Sequence, residues 1–299
     1  MVDRSASPKI LVAIDPSKSP LDPLRLAGKL ARRTRLPLVP VTVFPHHPLL
    51  EGPEDDQQRA MRASAREDLL ELGRSLDDVN VEDALAVAGS SPARALYELA
   101  ETGAAMIVVG STTRGALRRV LPGSVAVQLL SGAVCPIAVA PHGYSEGEDR
   151  DLATVGVGFD GSEESEQALA GARRLARRAG ARLRIITAVQ QLAFGAVPVS
   201  MRAPAGSANR VMEDELRRLH DAALTADQNG VEGVFRPGNA VDVLLEQSRE
   251  VDLLVTGSRG YGPLGAVLLG STTRELTQAA ECPLIVVPRG RSLDFGDEA

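Results

Sequence analysis

Two tandem doubly wound α/β domains, each with a five-stranded parallel sheet in the order 3-2-1-4-5, form the fold class that this sequence predicts. Three observations predict it. Short continuous apolar runs alternate with helical segments, which argues for parallel strands covered on both faces. The alternation begins again after residue 151. Marker residues also recur at a fixed distance: Gly110 and Gly257, Gly123 and Gly270, Ser124 and Ser271, Cys135 and Cys282, Pro136 and Pro283, and Pro141 and Pro288 are each 147 residues apart, while Asp15 and Asp160 are 145 apart. A slip of two residues over so long a unit leaves little room for coincidence, and units of this size are domains rather than solenoid repeats. The boundaries fall at 1–142 and 151–290, with the polar segment 141–151 as the connector.

In the first half, residues 9–15 are an apolar run ending in Asp15, the pattern of a buried parallel strand whose tip leaves the core. A turn cluster and a helix through Leu24, Ala27, Leu30 and Ala31 follow. Strand two is expected over 38–44, a polar helix over 54–72 and strand three over 84–88. Ser91-Pro92 opens the next helix, with serine able to cap and proline at its tolerated first position. Strand four covers 105–109, Gly123-Ser124 starts a helix that stops at Gly132, and strand five covers 135–140.

The second half repeats this order, with strands at 154–159, 183–189, 233–236, 252–256 and 282–287. Its first helix has an acidic first turn, Glu163-Glu164, suited to the helix dipole, and closes at Gly180. Met212, Leu216, Leu219, His220 and Ala223 make an amphipathic face, with His220 read as core-edge packing. Residues 190–210 form a long loop, a lid or a disordered connection.

Composition narrows the function. The formal net charge of -6 gives no support for nucleic-acid binding, and 3% aromatic content without Trp leaves little for base stacking. The two cysteines, each before a proline, suit buried thiols in a reducing cytoplasm better than a disulfide framework. Residues 1–8 lack an apolar signal core, and no run approaches the ~18 apolar residues of a membrane span. The expected location is the cytoplasm, with no membrane partner.

In a doubly wound sheet, ligands bind beyond the carboxyl ends of the strands where the winding reverses, here between strands one and four. Asp15 and Gly110 leave those strands in the first half, Asp160 and Gly257 in the second. A carboxylate can accept from ribose hydroxyls or help hold a metal, while a glycine loop and a helix start can cradle phosphates. Each half then offers one crevice for one nucleotide.

Asp160-Gly161-Ser162, Gly257-x2-Gly260-x9-Gly270-Ser271 and Cys282-Pro283 together resemble the ATP-binding branch of the universal stress protein family, and the likeness covers both halves. It implies a Rossmann-like, nucleotide α-hydrolase-like fold that binds ATP without a Walker loop, typically with a divalent metal such as Mg2+ or Mn2+. By that resemblance the second site is Gly158, Asp160, Ala188, Gly257, Arg259, Gly260, Gly270, Ser271 and Thr272. The first is Ala13, Asp15, Val43, Gly110, Thr113, Gly115, Gly123, Ser124 and Val125. Thr113 stands where the motif has its second glycine, with Gly115 two positions on; a β-branched residue would strain a positive φ there. The resemblance also implies that the two halves pack as a pseudo-dimer through their fifth strands, and that two chains can pair further.

Gly156-x-Gly158-x-x-Gly161 matches the dinucleotide fingerprint formally, but its first two glycines lie inside the strand. No P-loop motif occurs, the histidines lack ligand spacing, and nothing pairs Ser124 or Ser271 with a base, so neither catalytic nor metal residues are assigned. The leading reading is a nucleotide-dependent regulatory module for stress responses. A weak ATP hydrolase using the same pockets and a nucleotide-independent scaffold are the alternatives.

Overall fold

The computed structural model describes residues 8–15, 21–45, 55–111, 123–147, 151–189, 207–225, 230–258 and 270–296. The first repeat runs β1 (Lys9–Ala13), α1 (Leu21–Thr34), β2 (Leu38–Pro45), α2 (Asp56–Arg74), β3 (Leu85–Gly89), α3 (Pro92–Ala100), β4 (Ala104–Gly110), α4 (Ser124–Gly132) and β5 (Ile137–Ala140). The second runs β6 (Thr154–Gly158), α5 (Glu163–Ala179), β7 (Arg182–Val189), α6 (Ser207–Thr225), β8 (Val231–Pro237), α7 (Ala240–Gln247), β9 (Leu253–Gly257), α8 (Ser271–Ala279) and β10 (Leu284–Val287).

All ten strands join one sheet in the order β3-β2-β1-β4-β5-β10-β9-β6-β7-β8, so each half has the expected 3-2-1-4-5 order. Pairing within each half is parallel. At the centre β10 pairs antiparallel with β5, Ile285 opposite Ala138, which joins the repeats through their fifth strands.

Apolar strand residues alternate between the two faces, as the two-residue period of a strand requires. Ile10 and Val12 enter one core with α1, α2 and α5, whereas Leu11 enters the other with α3, α4, α7 and α8. Both faces of the central strands are covered, which is why they read as unbroken apolar runs rather than as alternating ones, whereas edge strand β8 is largely exposed. Cys135-Pro136 and Cys282-Pro283 precede β5 and β10 instead of belonging to them, so the prolines withhold no ladder hydrogen bond.

The connector is pinned to α1. Asp22, 2% exposed, accepts from Gly143 N (2.9 Å), Ser145 N (2.7 Å) and Ser145 Oγ (2.7 Å), and Arg25 donates to the carbonyls of Ser145 and Gly147. Its centre is a 3-10 turn, Tyr144–Glu146. The C-terminal segment docks in the matching place on α5: Leu293 and Phe295 are buried, and Arg174 and Arg178 donate to their carbonyls.

Other local expectations also differ from the structure. Ser91 makes no cap hydrogen bond; its hydroxyl meets Gln128 Oε1 at 3.4 Å, leaving Pro92 to set the helix start. Met212 is exposed, because α6 turns Leu219, His220 and Ala223 to the sheet and Val211 and Met212 outward. The loop expected over 190–210 ends earlier, since Ser207 already belongs to α6; residues 190–206 lie outside the described ones. Among the described residues no helix is long and apolar enough to cross a membrane.

Candidate functional site

The winding reverses between β1 and β4, and between β6 and β9, because α1 and α5 cover one face while α4 and α8 cover the other. The antiparallel β5–β10 seam points the carboxyl ends of the two halves in opposite directions. The two crevices therefore open at opposite edges of the sheet.

At the second crevice, Asp160 lies two residues beyond β6. Its Oδ1 accepts from Ser162 N (3.0 Å) and Ser162 Oγ (2.5 Å), and Ser162 Oγ in turn accepts from Ser165 N (3.2 Å), capping α5. This turn holds the carboxylate at the crevice edge, partly exposed. Across the crevice, α8 begins at Gly270 and Ser271, tied back to β9 by Gly270 N to Ser258 O (2.7 Å) and Thr273 Oγ1 to Gly257 O (2.8 Å). Ser271 is exposed and Thr272 partly buried in the first turn, where unpaired backbone N–H groups and the dipole favour an anion. Gly158 and Ala188 are on the α7/α8 face of the sheet, and Arg259 and Gly260 lie outside the described residues.

Gly257 has a packing reason. A Cβ there would stand 2.9 Å from the backbone carbonyl of Glu164, so its absence lets the first turn of α5 sit on the end of β9. Glu164 Oε1 meets Arg289 Nε at 3.1 Å, and Arg289 N donates to Ser258 Oγ (3.1 Å). These bonds brace the end of β9 between α5 and the residues after β10. Arg289 was not legible as part of this brace, because the residue 147 positions earlier is His142 and the repeat marks no cation there.

The first crevice has the same frame with different contacts among the described residues. Asp15 is exposed beyond β1, and Ala13 and Val43 lie partly buried on the α3/α4 face. A Cβ on Gly110 would stand 3.2 Å from Pro23 Cδ, a contact with a ring edge rather than a backbone. Ser111 N and Oγ both donate to Ala140 O, at 3.0 and 2.7 Å. Gly123 caps α4 at φ -69, which any residue adopts, and a Cβ there would meet nothing within 4 Å. Neither strain nor packing among the described residues calls for glycine at that helix start. Ser124 is exposed and Val125 partly buried; Thr113 and Gly115 lie outside the described residues.

Groups named elsewhere in the sequence have structural roles. Cys135 and Cys282 are free, buried thiols whose pKa burial pushes up to about 12, so they stay protonated. His220 is 3% exposed, 2.9 Å from Thr187 Oγ1 and edge-on to Phe235; desolvation lowers its pKa. Gly156 has a packing reason, since a Cβ there would press on Val251 at 3.1 Å and on Ile186 and Leu254 at 3.3 Å. A cavity of about 460 Å³ lies at the connector, lined by Lys29, Tyr144, Asp252 and Cys282, apart from both crevices.

The sequence profile of the Universal stress protein family matches residues 7–141 and again 152–288. A universal stress protein of Mycobacterium tuberculosis is 33% identical over 198 residues, 66% of each chain and so slightly under two thirds of that relative's length. A second from the same organism is 26% identical over 280 residues, covering 89% of this chain and 94% of that one. The crystal structure of a universal stress protein from Archaeoglobus fulgidus superposes with a TM-score of 0.67 at 19% identity, covering 94% of this chain and 98% of that chain, a likeness of fold. With both repeats matched by one profile and the strand order of each half in place, the chain belongs to the universal stress protein family as a tandem pair of its domains.

Proposed function

We propose that the two crevices bind an adenine nucleotide, ATP, and that occupancy biases the conformation of the tandem pair as a regulatory signal in a stress response. The observation that carries this reading is the second crevice: a carboxylate, Asp160, held by a hydrogen-bonded turn at the end of β6, beside the open first turn of α8 at Gly270 and Ser271. Phosphates suit the helix start and ribose hydroxyls suit the carboxylate. Gly158, Ala188, Gly257, Arg259, Gly260 and Thr272 complete the second site, and Ala13, Asp15, Val43, Gly110, Thr113, Gly115, Gly123, Ser124 and Val125 form the first. Gly123 supports the reading from the other half, since a glycine that no packing among the described residues requires leaves room for a ligand to reach the backbone. A divalent cation would arrive on the triphosphate, because Mg2+ keeps phosphate oxygens and waters as ligands and needs few protein carboxylates. The domains would be bounded at 1–142 and 151–290, in the cytoplasm.

Protein purified without added nucleotide and then denatured should release adenine nucleotide on chromatography. Empty protein should gain roughly 5 °C or more in Tm once ATP exceeds its Kd a hundredfold, a linkage of about 2.7 kcal/mol. An empty protein whose Tm millimolar ATP leaves unchanged would falsify the reading.

A further inference from the structure

Thr256 is the penultimate residue of β9, 5% exposed, and its buried hydroxyl has no hydrogen-bond partner among the described residues. An unsatisfied buried hydroxyl is destabilising, and valine would fill the same volume without that cost. The strand period puts Thr256 on the sheet face of Leu254, under α7 and α8, the face that also holds Ala188. It follows the last paired residues of β6 and β9, Val157 and Val255, and so stands beside Gly158; a Cβ on Gly158 would be 3.6 Å from the Thr256 methyl.

The first repeat has Val109 and Ala13 in these two places. Relative to it, the second crevice has lost a methyl from the strand beneath the ligand position and gained a hydroxyl next to the gap. Leu244, whose methyls lie 3.3 and 3.4 Å from that Cβ position, covers the spot. Turning this side chain removes the nearest described cover over the Gly158 backbone.

We infer that Thr256 is a specificity-determining residue of the second crevice, its hydroxyl hydrogen-bonding a polar atom on the edge of the nucleotide base. This rests on the nucleotide reading above. The base lies on the Gly158 backbone, displaces Leu244, and supplies the partner that the hydroxyl lacks within the fold. With Val109 and Ala13 in the same positions, the first crevice has apolar side chains at both places and no hydroxyl to meet the base edge, so the two sites of one chain differ in which base they favour.

The test is calorimetric titration of the full chain with ATP in a Gly123→Glu background, where a Cβ meets none of the described residues within 4 Å and the new side chain blocks the first helix start. Thr256→Val should weaken binding at the remaining site about tenfold, while Thr256→Ser, which keeps the hydroxyl, should stay within about threefold. Nucleotide-free Thr256→Val should melt at the same temperature as its parent or higher. Should Gly123→Glu prevent folding, the same pair is compared in the natural chain, where Thr256→Val should weaken one of two binding events. Equal affinity in Thr256→Val and its parent overturns this assignment and leaves the nucleotide reading standing. A parent that binds no ATP overturns both. A Thr256→Val chain that melts several degrees lower also overturns it, because the hydroxyl would then be held by the fold.

Discussion

The two crevices share a frame and differ, among the described residues, in the contacts that brace it. At the second, the end of β9 is gripped from three sides: Glu164 packs on Gly257, Thr273 donates to the Gly257 carbonyl, and Arg289 links Glu164 to Ser258. At the first, Ala126 and His142 occupy the positions of Thr273 and Arg289, and Pro23 is the contact on Gly110. Strand order alone places a crevice. Side chains that touch no ligand decide how rigid it is, and preorganisation of this kind lowers the ordering cost of binding.

The largest test of that difference is a methyl group. Gly257→Ala should destabilise the chain by about 2–3 kcal/mol, since the backbone of Glu164 must move, whereas Gly110→Ala, against the edge of Pro23, should cost about 1 kcal/mol or less. Denaturant unfolding with matched m-values reads both, and equal costs would break the contrast.

Arg289→Ala should follow, at about 1 kcal/mol, because Arg289 is half exposed but its partner Glu164 is 10% exposed and loses a charge-assisted bond. His142→Ala, its counterpart, should leave stability within about 0.5 kcal/mol. A double-mutant cycle with Glu164→Gln that shows no coupling would remove the brace from the account.

The smallest effect concerns pH. His220 packs between α6 and strands β7 and β8 of the second repeat, and its folded pKa lies below the unfolded value of about 6.5 because burial disfavours the charged ring. The unfolded chain therefore takes up the proton first as pH falls. Stability from this group is complete above about pH 6.5 and is lost as pH drops toward the folded pKa. Tm measured from pH 7.5 to 5 should fall less steeply in His220→Asn, and identical slopes would exclude the histidine as the cause.

Much of this was legible in the sequence. Strands buried on both faces read as apolar runs, and residues spaced 147 apart aligned the helix starts at Gly123 and Gly270 before any geometry was seen. Features that depend on one repeat differing from the other were not. Arg289 and Thr256 replace His142 and Val109, so comparing the repeats for sameness passes over both. Leu293 and Phe295 are isolated apolar residues in a polar tail, with no periodicity to reveal that they are buried. Met212 fits the helical period as well as Leu216 does, and only packing shows which way α6 faces.

The β5–β10 seam has an evolutionary consequence. Were the same seam formed between two identical chains, two-fold symmetry would force every substitution onto both sides at once. Tethering makes the pairing independent of dilution, and it also gives each repeat its own codons. Because Thr256 and Val109 are encoded separately, one half can be tuned to a new ligand while the other keeps the old one.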